Sequence, residues 1–269
     1  MKYTLVTGAS GGIGEAVAGK LAAKKHNLVL VARNAEKLLE ISKQLQDQFG
    51  VQVSFIAADL SQVNAAFEIF QETQKQSWEI DLLINNAGIG SGGEFATLSL
   101  QSELALLQLN NAALLAMTHL FLQPMRARKS GTIINVASMA SFIPVPYMAT
   151  YAASKAFVRS FTEAIIEECK PHQVHVMLFA PGLTKTNFNE SAGINNEKGI
   201  GLSSDYQTAT SQTPDEVAEE LIKALDANKY FHISGSRNRF GAKLAAILPN
   251  TIIARFMAAS YRKKSGQFN

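Results

Sequence analysis

The sequence predicts an α/β protein: a doubly wound, mostly parallel sheet of seven strands with helices on both faces. Three observations carry this. Short apolar, β-branched runs alternate with helix-length segments from the first residues onward. Each run ends in turn residues, and its continuous apolar character fits a strand buried on both faces. No Pro/Gly-rich linker and no internal repeat divides the chain, so residues 1–269 read as one domain. Alternation of this kind returns each strand parallel to the last and lays helices over both sides of the sheet.

The elements follow in order. Strands are expected at 3–7, 28–32, 51–57, 82–85, 132–136 and 174–180, with helices at 12–24, 35–48, 61–75, 102–127 and 151–170 between them. Thr213 and Pro214 then mark a helix start, as cap and first helical residue. A last short strand at 230–233 closes the sheet edge. Two regions stand apart. Residues 187–228 open with a polar stretch, 187–212, of the kind that forms a substrate loop or lid. Residues 235–269 form a basic helical extension.

Composition narrows the function. A chain of 269 residues, 47% apolar and 17% charged, has ample core for one globular domain. A net charge of +3 is too small to imply nucleic acid. Cys169 is the sole cysteine, which excludes an internal disulfide and points to a reducing compartment. Met1-Lys2-Tyr3 runs straight into a strand without a cleavage site, and no uninterrupted apolar run spans a bilayer. A soluble, cytoplasmic protein is expected. None of the five histidines joins a cluster with metal-ligand spacing, so no metal is expected. Ser138 lacks the G-x-S-x-G elbow of a serine hydrolase.

The chemistry-bearing motifs fall at strand ends. Thr7-Gly8-Ala9-Ser10-Gly11-Gly12-Ile13-Gly14 lies between the first strand and first helix. Glycines there permit a tight turn and close approach of a pyrophosphate to a helix N-terminus; a turn without ligand is the plainer alternative. After strand two, Ala32-Arg33-Asn34 lacks the acid that would bind the adenosine ribose hydroxyls. Arg33 instead suits a 2′-phosphate by charge and geometry, with hydrogen bonds from Ser10 and Asn34; otherwise it is a solvated surface charge. Asp59-Leu60 follows strand three, where Asp59 fits a helix cap. Asn85-Asn86-Ala87-Gly88 follows strand four, small enough for close backbone approach and with amides able to tie strands together.

Tyr151 and Lys155 stand four apart on one helix face. A free phenol has a pKa of about 10, and a nearby ammonium lowers it, which suits a general acid and base. Ser138 ends strand five, 13 residues before Tyr151, where a hydroxyl can orient a carbonyl and stabilise charge on its oxygen. Pro181-Gly182-Leu183-Thr184-Lys185-Thr186 ends strand six.

Taken together these strings resemble the short-chain dehydrogenase/reductase family over about residues 3–190. The resemblance implies a Rossmann fold and a cofactor site formed by Gly8, Ser10, Gly12, Ile13, Gly14, Arg33, Asn34, Asp59, Leu60, Asn86, Ala87, Gly88, Tyr151, Lys155, Pro181, Gly182, Thr184 and Thr186. In it Asp59 receives the adenine amino group, and Thr184 and Thr186 meet the nicotinamide carboxamide. It also implies a catalytic set of Asn110, Ser138, Tyr151 and Lys155, with Asn110 helping to hold a relay water beside the lysine. NADP(H) is the cofactor expected. NAD(H) use stays open, because the basic loop residue of many NADP-dependent relatives is Gly11 here.

The implied activity is hydride transfer between NADP(H) and a ketone or aldehyde, the carbonyl and alcohol forms of one small-molecule substrate. The alternatives are a 3-oxoacyl-type reductase and a non-catalytic NADP(H) sensor or scaffold. The resemblance further implies a homodimer or homotetramer paired through helices 102–127 and 151–170. The stretch 230–269 contains no Asp or Glu but carries Arg237, Arg239, Lys243, Arg255, Arg262, Lys263 and Lys264. Such helices can lie on an anionic membrane surface. The sequence favours the other reading, in which they pack over the substrate loop or a second subunit with their cations in solvent.

Overall fold

A computed structural model of the chain describes residues 1–186, 188 and 211–265. Its strands are β1 (Lys2–Thr7), β2 (Leu28–Ala32), β3 (Val53–Ala57), β4 (Glu79–Asn85), β5 (Thr132–Val136), β6 (His175–Ala180) and β7 (Phe231–Ile233). Its helices are α1 (Gly12–Ala23), α2 (Ala35–Phe49), α3 (Ala65–Lys75), α4 (Leu100–Leu107), α5 (Leu114–Ala127), α6 (Ala149–Cys169), α7 (Pro214–Asp226), α8 (Ser236–Ala245) and α9 (Asn250–Ser265). The strands form one sheet in the order β3-β2-β1-β4-β5-β6-β7, and every pair is parallel. Chain progress reverses between β1 and β4, so a crevice opens at their carboxyl ends.

Successive strand residues feed opposite layers, as a period of two demands. Val6, Leu28, Leu30, Ile84, Ile134 and Met177 pack under α1, α2 and α7. Their neighbours Leu5, Val29, Val31, Leu83, Ile133 and Val176 pack under α3, α5 and α6. Helix ends are set locally. The Asn34 side chain accepts from the Lys37 N–H to start α2, and Gly50 ends it in the left-handed region. Thr213 and Glu216 form a reciprocal capping box before α7, with Pro214 in its first turn.

Several bounds differ from the sequence reading. β4 starts at Glu79 because Glu79 and Ile80 pair with Lys2 and Tyr3; the polar Asp81 interrupts the apolar run. α3 starts at Ala65, since turns around Asp59 and Gln62 take up the residues before it. The long helix is not continuous: Gln108–Ala113 is a π turn between α4 and α5. By length and composition the helix at Leu100–Ala127 could cross a membrane. In the fold Asn110, Met117, Thr118, Phe121 and Met125 bury its inner face against the sheet layer. Of the expected loop region 187–228, residues 187 and 189–210 lie outside those described. Its last part is a core helix, with Val217, Ala218 and Leu221 fully buried in the layer that holds α1.

Candidate active site

The crevice between β1 and β4 is walled by backbone. Gly8 has a φ of +67°, a conformation that favours glycine, and a Cβ there would sit 2.9 Å from Asn86 Nδ2. A Cβ on Gly14 would collide with the Gly8 carbonyl and stand 2.7 Å from the same amide. Gly12 lies beneath Thr186, whose Cγ2 would be 3.0 Å from a Cβ. The N-cap of α1 is Gly11, which offers no side-chain cap. The first N–H groups of α1 thus open toward the loop, as an anion-binding helix start requires. The glycine positions form a cradle that side chains would fill, and they fit a dinucleotide.

Strand four locks this loop. Asn86 Nδ2 donates to the Thr7 carbonyl at 2.9 Å, and the N–H groups of Asn86 and Ala87 both donate to Thr7 Oγ1. Asn85 Nδ2 donates to Thr118 Oγ1 at 3.0 Å and Asn135 Oδ1 at 2.9 Å. Asn135 Nδ2 donates in turn to Thr162 Oγ1 at 3.1 Å. This buried chain of polar groups joins β4, β5, α5 and α6.

The four expected catalytic residues meet at the ends of β4 and β5. Asn110 is fully buried, and its amide donors and its carbonyl oxygen are all hydrogen-bonded. Its Oδ1 accepts from the Ile89 N–H at 3.0 Å, and its Nδ2 donates to the Ile89 carbonyl and Ser154 Oγ. Asn111 points elsewhere, its Nδ2 donating to the Ser154 carbonyl at 2.8 Å. A Cβ on Gly88 would stand 3.1 Å from Asn110 Oδ1 and 3.4 Å from Lys155 Nζ, so these two groups share one small space.

Lys155 is buried, and its Nζ donates to the Val136 carbonyl at 3.0 Å. Burial pushes its pKa down to about 8. Tyr151 is buried too, and burial raises its phenol above the ordinary value against a lowering by the Ser138 hydroxyl, its hydrogen-bond partner. The Tyr–Lys pairing alone predicts a lowered phenol; desolvation reverses that, and the positive nicotinamide is no part of the chain. Ser138 Oγ accepts from the Ala140 N–H at 3.1 Å, which aims the hydroxyl at the crevice.

The loop after β6 covers the same space. Pro181 is buried, and its carbonyl accepts from the Met139 N–H. Thr184 Oγ1 donates to the Gly182 carbonyl, and Leu183 and Lys185 pair with Gln212 through backbone bonds. Thr186 Oγ1 accepts from the Phe188 N–H. The Phe188 ring lies 5.5 Å from that of Tyr151 and gives the site an apolar wall.

At the far end Arg33 and Asn34 are exposed beyond β2, where Ser10 is half-buried in the glycine loop. Burial raises the Asp59 pKa, but the Ser61 N–H and hydroxyl and the Arg33 charge outweigh it and leave the group low. Asp59 Oδ1 closes a turn onto Ser61 rather than capping α3. Leu60 and Ile13 direct their side chains into the two core layers, which leaves only backbone for a ligand. The structure thus gathers the expected residues along one crevice. Sequence reasoning missed Thr7, Ser154, Thr162 and Phe188; a hydroxyl at the end of β1, within the Tyr–Lys motif or two turns beyond it on α6 is the signal for the first three.

Comparison with known proteins agrees with this geometry. The short chain dehydrogenase family model matches residues 2–197. Dehydrogenase/reductase SDR family member 7B of Xenopus laevis is 27% identical over 97% of this chain and 82% of its own. Very-long-chain 3-oxoacyl-CoA reductase of Phaeosphaeria nodorum is 34% identical over 68% of this chain, which spans 55% of that protein. The structure of a short-chain dehydrogenase from Sphingobium yanoikuyae in complex with NADPH superposes with a TM-score of 0.80 at 28% identity, over 91% of this chain and 93% of that one. The matched residues take in β1 to β6 and every catalytic position just described, so the chain belongs to the short-chain dehydrogenase/reductase family of oxidoreductases.

Proposed function

We propose that the protein reduces a ketone or aldehyde with NADPH, with Tyr151 as the proton donor. One observation carries this reading: a buried phenol, held protonated by desolvation, faces the Ser138 hydroxyl one helical turn from Lys155. NADPH, when bound along the glycine cradle, supplies the hydride. The Ser138 hydroxyl orients the carbonyl and stabilises the charge that gathers on its oxygen. The Tyr151 Oη–H delivers its proton to that oxygen. Lys155 holds the ribose beside the site and favours the phenolate left behind. Asn110 fixes the backbone of residues 88–89 against α6.

Arg33 supports NADP(H) over NAD(H), since a guanidinium occupies the place where an acid would repel the 2′-phosphate. The relative solved with NADPH is consistent with that choice. Gly11 stands where a basic loop residue would add a second contact to the 2′-phosphate, which keeps NAD(H) open as a weaker cofactor. A 3-oxoacyl thioester is a second substrate class, favoured by the match to an oxoacyl-CoA reductase and by the Phe188 wall.

Fluorescence titration with NADPH and NADH, then a carbonyl panel that includes a 3-oxoacyl thioester, tests the reading. Tight NADPH binding with turnover of one class is expected. Binding of neither cofactor would remove it. We further read the exposed Leu104, Leu107, Leu115 and Phe157 as the face through which copies pair, which light scattering would show as a dimer or tetramer. The lone buried Cys169 and the use of NADPH fit a cytoplasmic setting.

A further inference from the structure

A second apolar face lies far from the pairing helices in sequence. Phe240, Leu244, Ile247 and Leu248 follow helical spacing on α8 and its C-terminal turn, and Ile252 and Phe256 continue it on α9. They are not covered: Ile247 is 80% exposed, Phe256 76% and Phe240 71%. Side chains of this size left in water on neighbouring helices mark a contact surface. The sequence favours helices that pack over the substrate loop or a second subunit; within the described residues of one chain, Ala242 is buried and the large residues lie outside.

Charge identifies what the face meets. Lys243 and Arg255 are exposed on the same two helices, and the chain from Tyr230 to Asn269 contains no Asp or Glu. Glu220, from α7, is an acid that reaches this region, and it is taken by Arg239 at 3.0 Å and by His232. A symmetric contact between two copies would set these cations against one another. A cavity lined by Phe142, Arg159, Ala242, Ala245, Ala246 and Leu248 lies beside the face, while Phe240, Ile247 and Phe256 project from it. Projecting aromatic and aliphatic residues among cations suit an anionic bilayer, which accepts them at any register.

We infer that α8 and α9 form an interfacial surface that holds this protein on anionic lipid. The same helix touches the active-site entrance. Tyr261 of α9 stacks on Tyr147 with ring centroids 3.6 Å apart, and Tyr147 lies four residues before Tyr151. Tyr261 is five residues beyond Phe256, about 7.5 Å along the helix axis. A docked bilayer therefore lies beside the loop that leads into the catalytic helix.

The test is sedimentation of the full-length protein with vesicles at low salt. Phosphatidylglycerol vesicles should carry it down, and phosphatidylcholine vesicles should do so far less. Ile247→Ser with Phe256→Ser should weaken binding at least about tenfold. Lys243→Ser with Arg255→Ser should remove roughly 25-fold of the anionic preference, at about fivefold for each cation. Each variant is first shown to bind NADPH like the parent, so that loss of fold is excluded. The inference is overturned if the parent stays in solution with anionic vesicles. It is also overturned if the apolar variant sediments like the parent, or if that variant turns a stable dimer into a monomer, since the face would then join copies.

Discussion

Lys155 carries a testable electrostatic cost. Its ammonium is buried with the Val136 carbonyl as partner, and burial brings its pKa from 10.5 to about 8. A shift of that size corresponds to roughly 3 kcal/mol against the folded state while the lysine is charged. The sign follows from linkage. The folded-state pKa is the lower one, so between about pH 8 and 10.5 the unfolded chain binds more protons. Stability therefore rises with pH across that window, and below it the cost is present in full.

Replacing Lys155 by Met removes the charge and keeps the length. It also leaves the Val136 carbonyl without its donor, a loss of about 1–3 kcal/mol. At pH 7 the variant should thus be at least as stable as the parent, by up to about 2 kcal/mol, the balance of the two terms. Above pH 10.5 the lysine is neutral in both states, and the variant should be the less stable protein. Urea unfolding followed by the single Trp78, half-buried against Tyr3, reads both curves. Groups remote from residue 155 titrate alike in the two proteins and cancel. A difference that stays constant from pH 7 to 10.5 would refute the claim that this lysine is desolvated.

Four further outcomes follow from the same geometry. Tyr151→Phe should lower kcat by about 10²–10⁴, the range for a positioned proton donor, while NADPH titration shows unchanged affinity. Arg33→Ala should weaken NADPH binding about tenfold or more, as loss of one charge-assisted bond requires, and leave NADH binding where it was. Gly88→Ala puts a Cβ 3.1 Å from Asn110 Oδ1 and 3.4 Å from Lys155 Nζ; kcat should fall at least about tenfold, with melting temperature nearly constant. Thr162→Val leaves Asn135 Nδ2 without its acceptor inside the sheet layer, and calorimetry should show a loss of about 1–3 kcal/mol.

The strands were legible because both faces of the sheet are buried and the apolar runs are nearly continuous. Exceptions follow the same rule. Asp81 hid the start of β4, although that end pairs with β1 and Asp81 itself meets Lys2 there at 3.8 Å. The motif residues were legible because strand ends and a turn of helix fix their relation in space. The π turn was not. Nothing in Gln108–Ala113 departs from helical composition, and the extra residue is visible only in what it achieves: adjacent asparagines reach different partners, Asn110 the Ile89 backbone and Asn111 the Ser154 carbonyl. The phenol of Tyr151 is raised in the chain alone, where the positive nicotinamide that the sequence reading counts beside Lys155 has no part. A pair at i and i+4 gives proximity, but the sign of a pKa shift depends on burial, which spacing does not contain.

The site owes its geometry to residues that touch no reacting atom. Asn86 joins the glycine loop to β4 through Thr7, and Asn85 joins β4 to α5 and β5. Asn135 carries the chain on to Thr162 of α6, the helix that also bears Tyr151 and Lys155. Each of these amides is buried or half-buried with its donors engaged, so a change in the separation of any two elements leaves a polar group unpaired. That penalty sets the distance between the cofactor cradle and the catalytic helix more sharply than apolar packing can, since packing tolerates small shifts. Phe188 and Tyr147 lie outside this network, Phe188 against the Tyr151 ring and Tyr147 against Tyr261 of α9. Chemistry is thereby fixed to the sheet, and the choice of substrate is left to segments that can change without disturbing it.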